Sequence, residues 1–85
     1  MFQLVFEARV TKDLKSFNSA QKSFIQNKIQ ILKQNPFPVG KNPKKLKGNN
    51  AFRLRVGDYR VIYEIVGNEV RIFNILHRKM AYKDL

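Results

Sequence analysis

Three arginines lie in one short run that folds back on itself: Phe52-Arg53-Leu54-Arg55-Val56-Gly57-Asp58-Tyr59-Arg60-Val61-Ile62-Tyr63. Apolar and basic residues alternate on either side of Gly57-Asp58. That pattern reads as two strands joined by a two-residue turn, because Gly adopts the positive φ such a turn requires. The turn sets the register: Val56 faces Tyr59, Arg55 faces Arg60 and Leu54 faces Val61. Phe52, Leu54, Val56, Tyr59, Val61 and Tyr63 then share an apolar face, while Arg53, Arg55 and Arg60 share the other with Ile62. Like charges directly opposite in a sheet are destabilising, so clustered guanidiniums point to an anion among them, most simply a phosphate held by charge-assisted hydrogen bonds. The plain alternative is a solvated face.

The charge balance supports a polyanionic partner. Seventeen Lys and Arg against six Asp and Glu give +11 on 85 residues, which favours nucleic acid, an acidic protein or a membrane surface. No carboxylate occurs between Asp13 and Asp58, whereas ten Lys or Arg do, so one side of the fold should be strongly positive. Among these, Lys41, Lys44, Lys45 and Lys47 crowd one Pro- and Gly-containing stretch, either as solvated loop residues or as contacts to the phosphates of a nucleic acid. The absence of Cys removes disulfides and thiolate chemistry and fits a reducing compartment. The first apolar run, Phe2 to Phe6, is too short for a membrane span or a signal peptide. The expectation is one soluble, cytoplasmic domain over residues 1–85, with no membrane partner.

The elements that must position these residues follow from periodicity. Phe2 to Glu7 alternates as a first strand with Phe2, Leu4 and Phe6 on one face. Thr11 can cap a short helix carrying Leu14 and Phe17, and Asn18 or Ser19 a longer one. In the longer helix Ile25, Ile29 and Leu32 form a stripe widened by Phe24 and Ile31, with Lys22 and Gln26 outside. Lys28 falls within the stripe, its stem along apolar surface. The helical pattern stops at Asn35-Pro36, and Phe37 to Asn50 reads as a basic loop. A second turn at Gly67-Asn68 places Glu64 opposite Arg71 as a neutralising pair, Ile62 opposite Phe73 and Arg60 opposite Ile75. Val70, Ile72 and Leu76 then share one face of the last strand, Phe73 and Ile75 the other, so that strand should be central. The expected fold class is α+β: an N-terminal strand, two helices, then a three-stranded antiparallel meander that the first strand joins, with the helices packed on one face.

Lys47-Gly48, the Arg-x-Arg-x-Gly-Asp-Tyr-Arg run, and His77-Arg78-Lys79 followed by Ala81-Tyr82 together resemble the RelE branch of the RelE/ParE superfamily of toxin–antitoxin toxins. The resemblance covers nearly the whole chain. It implies a RelE-like fold and a ribosome-dependent endoribonuclease, an mRNA interferase cutting messenger RNA in the ribosomal A site and neutralised by a cognate RelB-like antitoxin. Arg53 and Arg55 stand where the family presents basic residues near the scissile phosphate, often lysines. Arg60 matches the arginine of the Tyr-Arg motif, Arg78 the later catalytic arginine, and Tyr82 the C-terminal tyrosine.

For such a reaction RNA supplies its own nucleophile, the 2′-hydroxyl. The protein must align it, stabilise charge at the phosphate and move protons at both oxygens. Arg53, Arg55, Arg60 and Arg78 would supply the charge, but guanidiniums are poor proton carriers. Histidine is the side-chain type best suited to shuttle protons near neutral pH, and a continued strand would place His77 on the arginine face; Tyr82 is the other candidate, with a packing anchor as its alternative role. Asp13, Asp58, Glu64 and Glu69 are scattered, so no metal or other cofactor is expected. Arg60, read as an exposed strand residue, should be replaceable by alanine without loss of fold. Lys15, Lys22, Lys28 and Lys33 are solvated helix positions or a surface for an acidic amphipathic antitoxin segment. Two other functions share the same residues: a ParE-like inhibitor of DNA gyrase, and an RNA-binding module without catalysis.

Overall fold

The computed structural model describes residues 1–37 and 51–77, with the backbone of 44–45 between them. Strand β1 (Gln3–Phe6) leads into helix α1 (Ala8–Ser16) and helix α2 (Ser19–Ile29), which tightens into a 3-10 turn over Gln30–Lys33. Strands β2 (Lys44–Lys45), β3 (Ala51–Val56), β4 (Tyr59–Val66) and β5 (Glu69–His77) follow. They form one sheet in the order β1-β5-β4-β3-β2, with β1 parallel to β5 and the other pairs antiparallel. Strand β5 is an interior strand between β1 and β4, while β4 holds the centre. The α+β layering and the meander agree with the sequence reading. The two-residue β2 within the expected loop does not; it pairs Lys44 with Arg53 and Lys45 with Phe52.

One face of the sheet carries the core. Val10 and Leu14 of α1, Ile25 and Ile29 of α2, and Leu32 of the 3-10 turn pack against Leu54, Val56, Val61, Tyr63, Val70 and Ile72. Helix α1 starts earlier than expected, at Ala8 straight after β1, with Glu7 as its N-cap residue. Thr11 therefore lies inside the helix, its hydroxyl reaching the Glu7 carbonyl at 3.5 Å. Helix α2 begins as expected: Asn18 Oδ1 accepts from the Gln21 amide at 2.8 Å and Gln21 Oε1 from the Asn18 amide at 3.4 Å, a reciprocal capping box.

The apolar stripe of α2 is narrower than its periodicity suggests. Phe24 is 49% and Ile31 53% exposed, Lys28 is exposed, and Lys22 and Gln26 are half-buried instead. The change to three residues per turn after Ile29 explains part of this. It stacks Leu32 directly over Ile29 and swings Ile31 outward.

Two turns fix the meander. Gly57 and Gly67 both take φ of 59°, the left-handed region that Gly enters without penalty. The first hairpin has the register counted from the sequence: Val56 opposite Tyr59, Arg55 opposite Arg60, Leu54 opposite Val61. The second does not keep its register. Glu64 pairs with Arg71 as expected, but a bulge shifts the ladder so that Tyr63 faces Ile72, Ile62 faces Asn74 and Arg60 faces Leu76, leaving Phe73 as the extra residue. An inserted residue flips every later side chain to the other face. Ile75, expected opposite Arg60, is in the core opposite Val61, and Leu76 moves to the arginine side. Nor do Glu64 and Arg71 form the expected ion pair. Arg71 Nη2 lies 3.1 Å from Glu69 Oε1, two residues away on the same strand, and at this exposure the contact contributes little.

Tyr63 ties the sheet to the end of the helical layer. Its fully buried ring stacks on Phe52 with centroids 5.4 Å apart, and its hydroxyl donates to the Pro36 carbonyl at 2.6 Å. Burial pushes the phenol well above its ordinary range, so it stays a neutral donor. The folded state thus holds this proton more tightly than the unfolded chain does. The contribution to stability is complete below about pH 10 and is lost as pH rises beyond that. Tyr63→Phe should cost about 1–2 kcal/mol at neutral pH by orphaning a buried carbonyl. Denaturant titrations from pH 8 to 11 should show a shallower alkaline decline in the variant; parallel declines would rule out this coupling.

Candidate functional site

The second face of the sheet carries the arginines, and among the described residues no helix lies on it. Cross-strand partners share a face, so two rows can be read from the register. Arg55, Arg60 and Leu76 form one; Arg53, Ile62 and Asn74 form the next. Arg55 is exposed and Arg53 half-buried. At the β3 edge the backbone register adds Lys44 opposite Arg53. The sequence-predicted trio is therefore brought together on adjacent strands, roughly 5 Å apart between neighbouring strands.

Arg60 differs from expectation. It is 3% exposed, the buried charged residue of the described core. Its Nη1 donates to the Gly57 carbonyl at 3.1 Å and to the Tyr59 carbonyl at 3.0 Å. The guanidinium curls back over the turn and binds two backbone carbonyls, which also offsets the repulsion from Arg55 directly opposite. Arg60 is thus a strut of the hairpin as well as a source of positive potential.

His77 is placed otherwise than the uninterrupted strand implied. Because of the bulge it pairs with Tyr59 on the helix side of the sheet, its ring edge-on to Tyr59 at 5.5 Å. Tyr59 in turn contacts Phe17 at 5.1 Å. His77 is exposed but belongs to this aromatic edge, not to the arginine face. Arg78, Tyr82, Lys41 and Lys47 lie outside the described residues, as do the side chains of Lys44 and Lys45.

The same bulge brings in a residue that sequence reasoning missed. Asn74 lies in the row of Arg53 and is half-buried. No sequence signal marked it, since an unbroken alternation would have left it on the core face. The face as a whole can hold a phosphate by cations from adjacent strands, and it adds a neutral amide next to the buried Ile62. Among the described residues no three of His, Asp and Glu come together in a way that could hold a metal ion.

Comparison with known proteins supplies a context. Residues 4–82 match the sequence model of a family described as ParE toxin of type II toxin-antitoxin system. The chain is 34% identical to the protein named putative toxin RelE1 of Methanocaldococcus jannaschii, over 98% of this chain and 97% of that one. The fold is similar to the archaeal RelE-RelB complex of Pyrococcus horikoshii, with a TM-score of 0.77, 29% identity and coverage of 91% and 94% of the two chains. It is also similar to the RelB-RelE antitoxin-toxin complex of Methanococcus jannaschii, with a TM-score of 0.73, 30% identity and coverage of 95% and 98%.

Proposed function

The chain belongs to the RelE/ParE superfamily of toxins of type II toxin–antitoxin systems, and on that premise we propose that it is a ribosome-dependent endoribonuclease that cuts messenger RNA in the ribosomal A site. The observation that carries this reading is the arginine face: Arg53 and Arg55 on one strand, backed by Arg60 on the next, on a side of the sheet that no described helix covers. In this proposal Arg53 and Arg55 bind the scissile phosphate. The 2′-hydroxyl attacks in line, the phosphorus–5′-oxygen bond breaks, and the products are a 2′,3′-cyclic phosphate and a 5′-hydroxyl. Arg78 adds charge as phosphorane character develops. Tyr82 carries a proton, and the lysines from Lys41 to Lys47 grip RNA phosphates. Direct proton transfer by His77 has no support from its place on the aromatic edge. No metal is required, because the nucleophile is intramolecular and the charge is met by guanidiniums.

The antitoxin belongs to the proposal too. Solved relatives are complexes of RelE with RelB. On the helix side a groove of about 180 Å³ is lined by Phe6, Thr11, Leu14, Lys15, Lys22 and Gln26, an apolar floor with a lysine rim. An acidic amphipathic antitoxin segment fits it by charge. Among the described residues no helix is long and apolar enough to cross a membrane, and the cytoplasm is the proposed place of action.

The family description favours one second reading, inhibition of DNA gyrase, since the matching family is named for ParE. The two separate in one experiment: purified toxin is added in parallel to a reconstituted translation reaction and to a gyrase supercoiling reaction. Loss of protein synthesis with shortened messenger carrying cyclic-phosphate ends, and supercoiling unaffected, is the expected result. Blocked supercoiling with intact messenger would replace the nuclease reading by the gyrase one.

A further inference from the structure

We infer that Asn74 reads the base of the bound nucleotide, and that it confers a preference for adenine next to the scissile phosphate; the inference rests on the arginine face being an RNA site. Asn is disfavoured in strands, yet Asn74 sits in the second half of the nine-residue strand β5, past the residues that pair with β1 and opposite Ile62 of β4. The bulge at Phe73 turns it away from the core and into the row Arg53, Ile62, Asn74. It is half-buried beside Ile62, which is itself 8% exposed. Arg60 is its diagonal neighbour, about 7–8 Å away between backbones.

The chemistry of the row matches that of a nucleotide. Arg53 offers only donors and suits a phosphate. Ile62, nearly buried, is an apolar spacer between Arg53 and Asn74. Asn74 offers one acceptor and two donors from the same planar group, which an arginine cannot. Guanidiniums engaged with phosphates hold any RNA equally well, because phosphates are the same for every base; discrimination needs a group that meets a base edge, and the adjacent donor and acceptor of adenine are matched by a group that both accepts and donates. Sequence-specific recognition of single-stranded RNA uses the Watson–Crick and Hoogsteen edges of unstacked bases. Two strands beyond Arg53, roughly 10 Å, is the scale at which one nucleotide reaches from phosphate to base edge. A carboxamide pairs bidentately with the adjacent amino group and ring nitrogen of adenine, the partner it discriminates best.

The test measures binding and cutting separately. Short oligoribonucleotides differing at one base are titrated against the full chain by fluorescence anisotropy at several salt concentrations. The same proteins are then mapped on programmed ribosomes. Wild type should bind the adenine oligonucleotide about 10-fold more tightly than the others, as one bidentate contact allows. Asn74→Val, a good strand former, should keep the circular dichroism spectrum and the salt dependence but flatten the ranking. Asn74→Asp keeps acceptors and loses donors, and should shift the preference from adenine to cytosine. A variant in which only packing changed would alter affinity for all bases together. An unchanged ranking in folded Asn74→Val, or a wild type without any ranking, overturns the inference. Cutting by wild type with that unchanged ranking sinks the Asn74 assignment alone. A ranking that Asn74→Val erases, without ribosomal cutting, upholds Asn74 and removes the nuclease reading.

Discussion

Arg55→Gln is expected to lower messenger cleavage by about 100- to 1,000-fold while the protein stays folded. Arg55 is an exposed residue on the arginine face, near the turn end of β3. In the proposed mechanism it meets the phosphate when negative charge builds up, and removing one preorganised donor of that kind typically costs two to three orders of magnitude, about 3–4 kcal/mol. Glutamine keeps most of the stem and removes the charge. The substitution also relieves the like-charge opposition with Arg60, so the melting temperature should move by no more than about 2–4 °C, the scale of an ordinary surface change. Arg55→Lys should fall between the two, retaining charge without the planar fork. Rates from single-turnover cleavage on ribosomes, set beside melting curves, provide the check; full activity in Arg55→Gln would remove this residue from the site.

The second large effect concerns Arg60, and it is one of stability. Its Nη1 holds the carbonyls of Gly57 and Tyr59, and the side chain is buried. Hydrogen bonds to a charged group contribute about 1.5–3 kcal/mol, so Arg60→Ala should destabilise by about 2–3 kcal/mol. For a domain of this size the melting temperature would fall by roughly 10–20 °C. Loss of cleavage in that variant alone would therefore not identify a catalytic group, contrary to the expectation from sequence that the fold would be unaffected. Arg60→Lys supplies the control: a single ammonium can reach one carbonyl and keeps the charge, so part of the stability should return. A melting temperature unchanged in Arg60→Ala would show that the strut contributes nothing and return Arg60 to the set of cleanly testable residues.

Much of this was legible in the sequence, for physical reasons that can be named. The first hairpin was readable because strict alternation on both sides of Gly57-Asp58 leaves one register that buries the apolar set, and β3 and β4 adopt it. The capping box at Asn18 was readable because a polar side chain precedes a periodic apolar run. The bulge was not readable. From Val70 to Leu76 apolar residues occupy both parities, so an extra residue leaves no trace in the pattern, and its effects on Asn74, Ile75, Leu76 and His77 were all missed together. The burial of Arg60 escaped for a related reason: alternation tells which face a side chain leaves from, not that a long guanidinium will curl back onto its own turn. Thr11 was a competing cap signal, outweighed because β1 runs straight into α1 at Glu7. The exposed Ile31 shows that apolar spacing overstates a stripe where a helix tightens into a 3-10 turn.

The site is legible to a different degree. Arginine positions followed from the register, whereas the place of Asn74 beside them required the observed ladder. The proposed roles of Arg78 and Tyr82 derive from the resemblance and need their own functional test.

Primer extension on a defined messenger programmed into ribosomes addresses the central claim most directly, with wild type and the Arg78→Ala, Tyr82→Phe double variant side by side and a ribosome-free control. The proposed nuclease should give discrete cuts within the A-site codon for wild type, none for the folded double variant and none without ribosomes. Intact messenger after incubation with folded, antitoxin-free wild type, under conditions where those ribosomes translate, would contradict it.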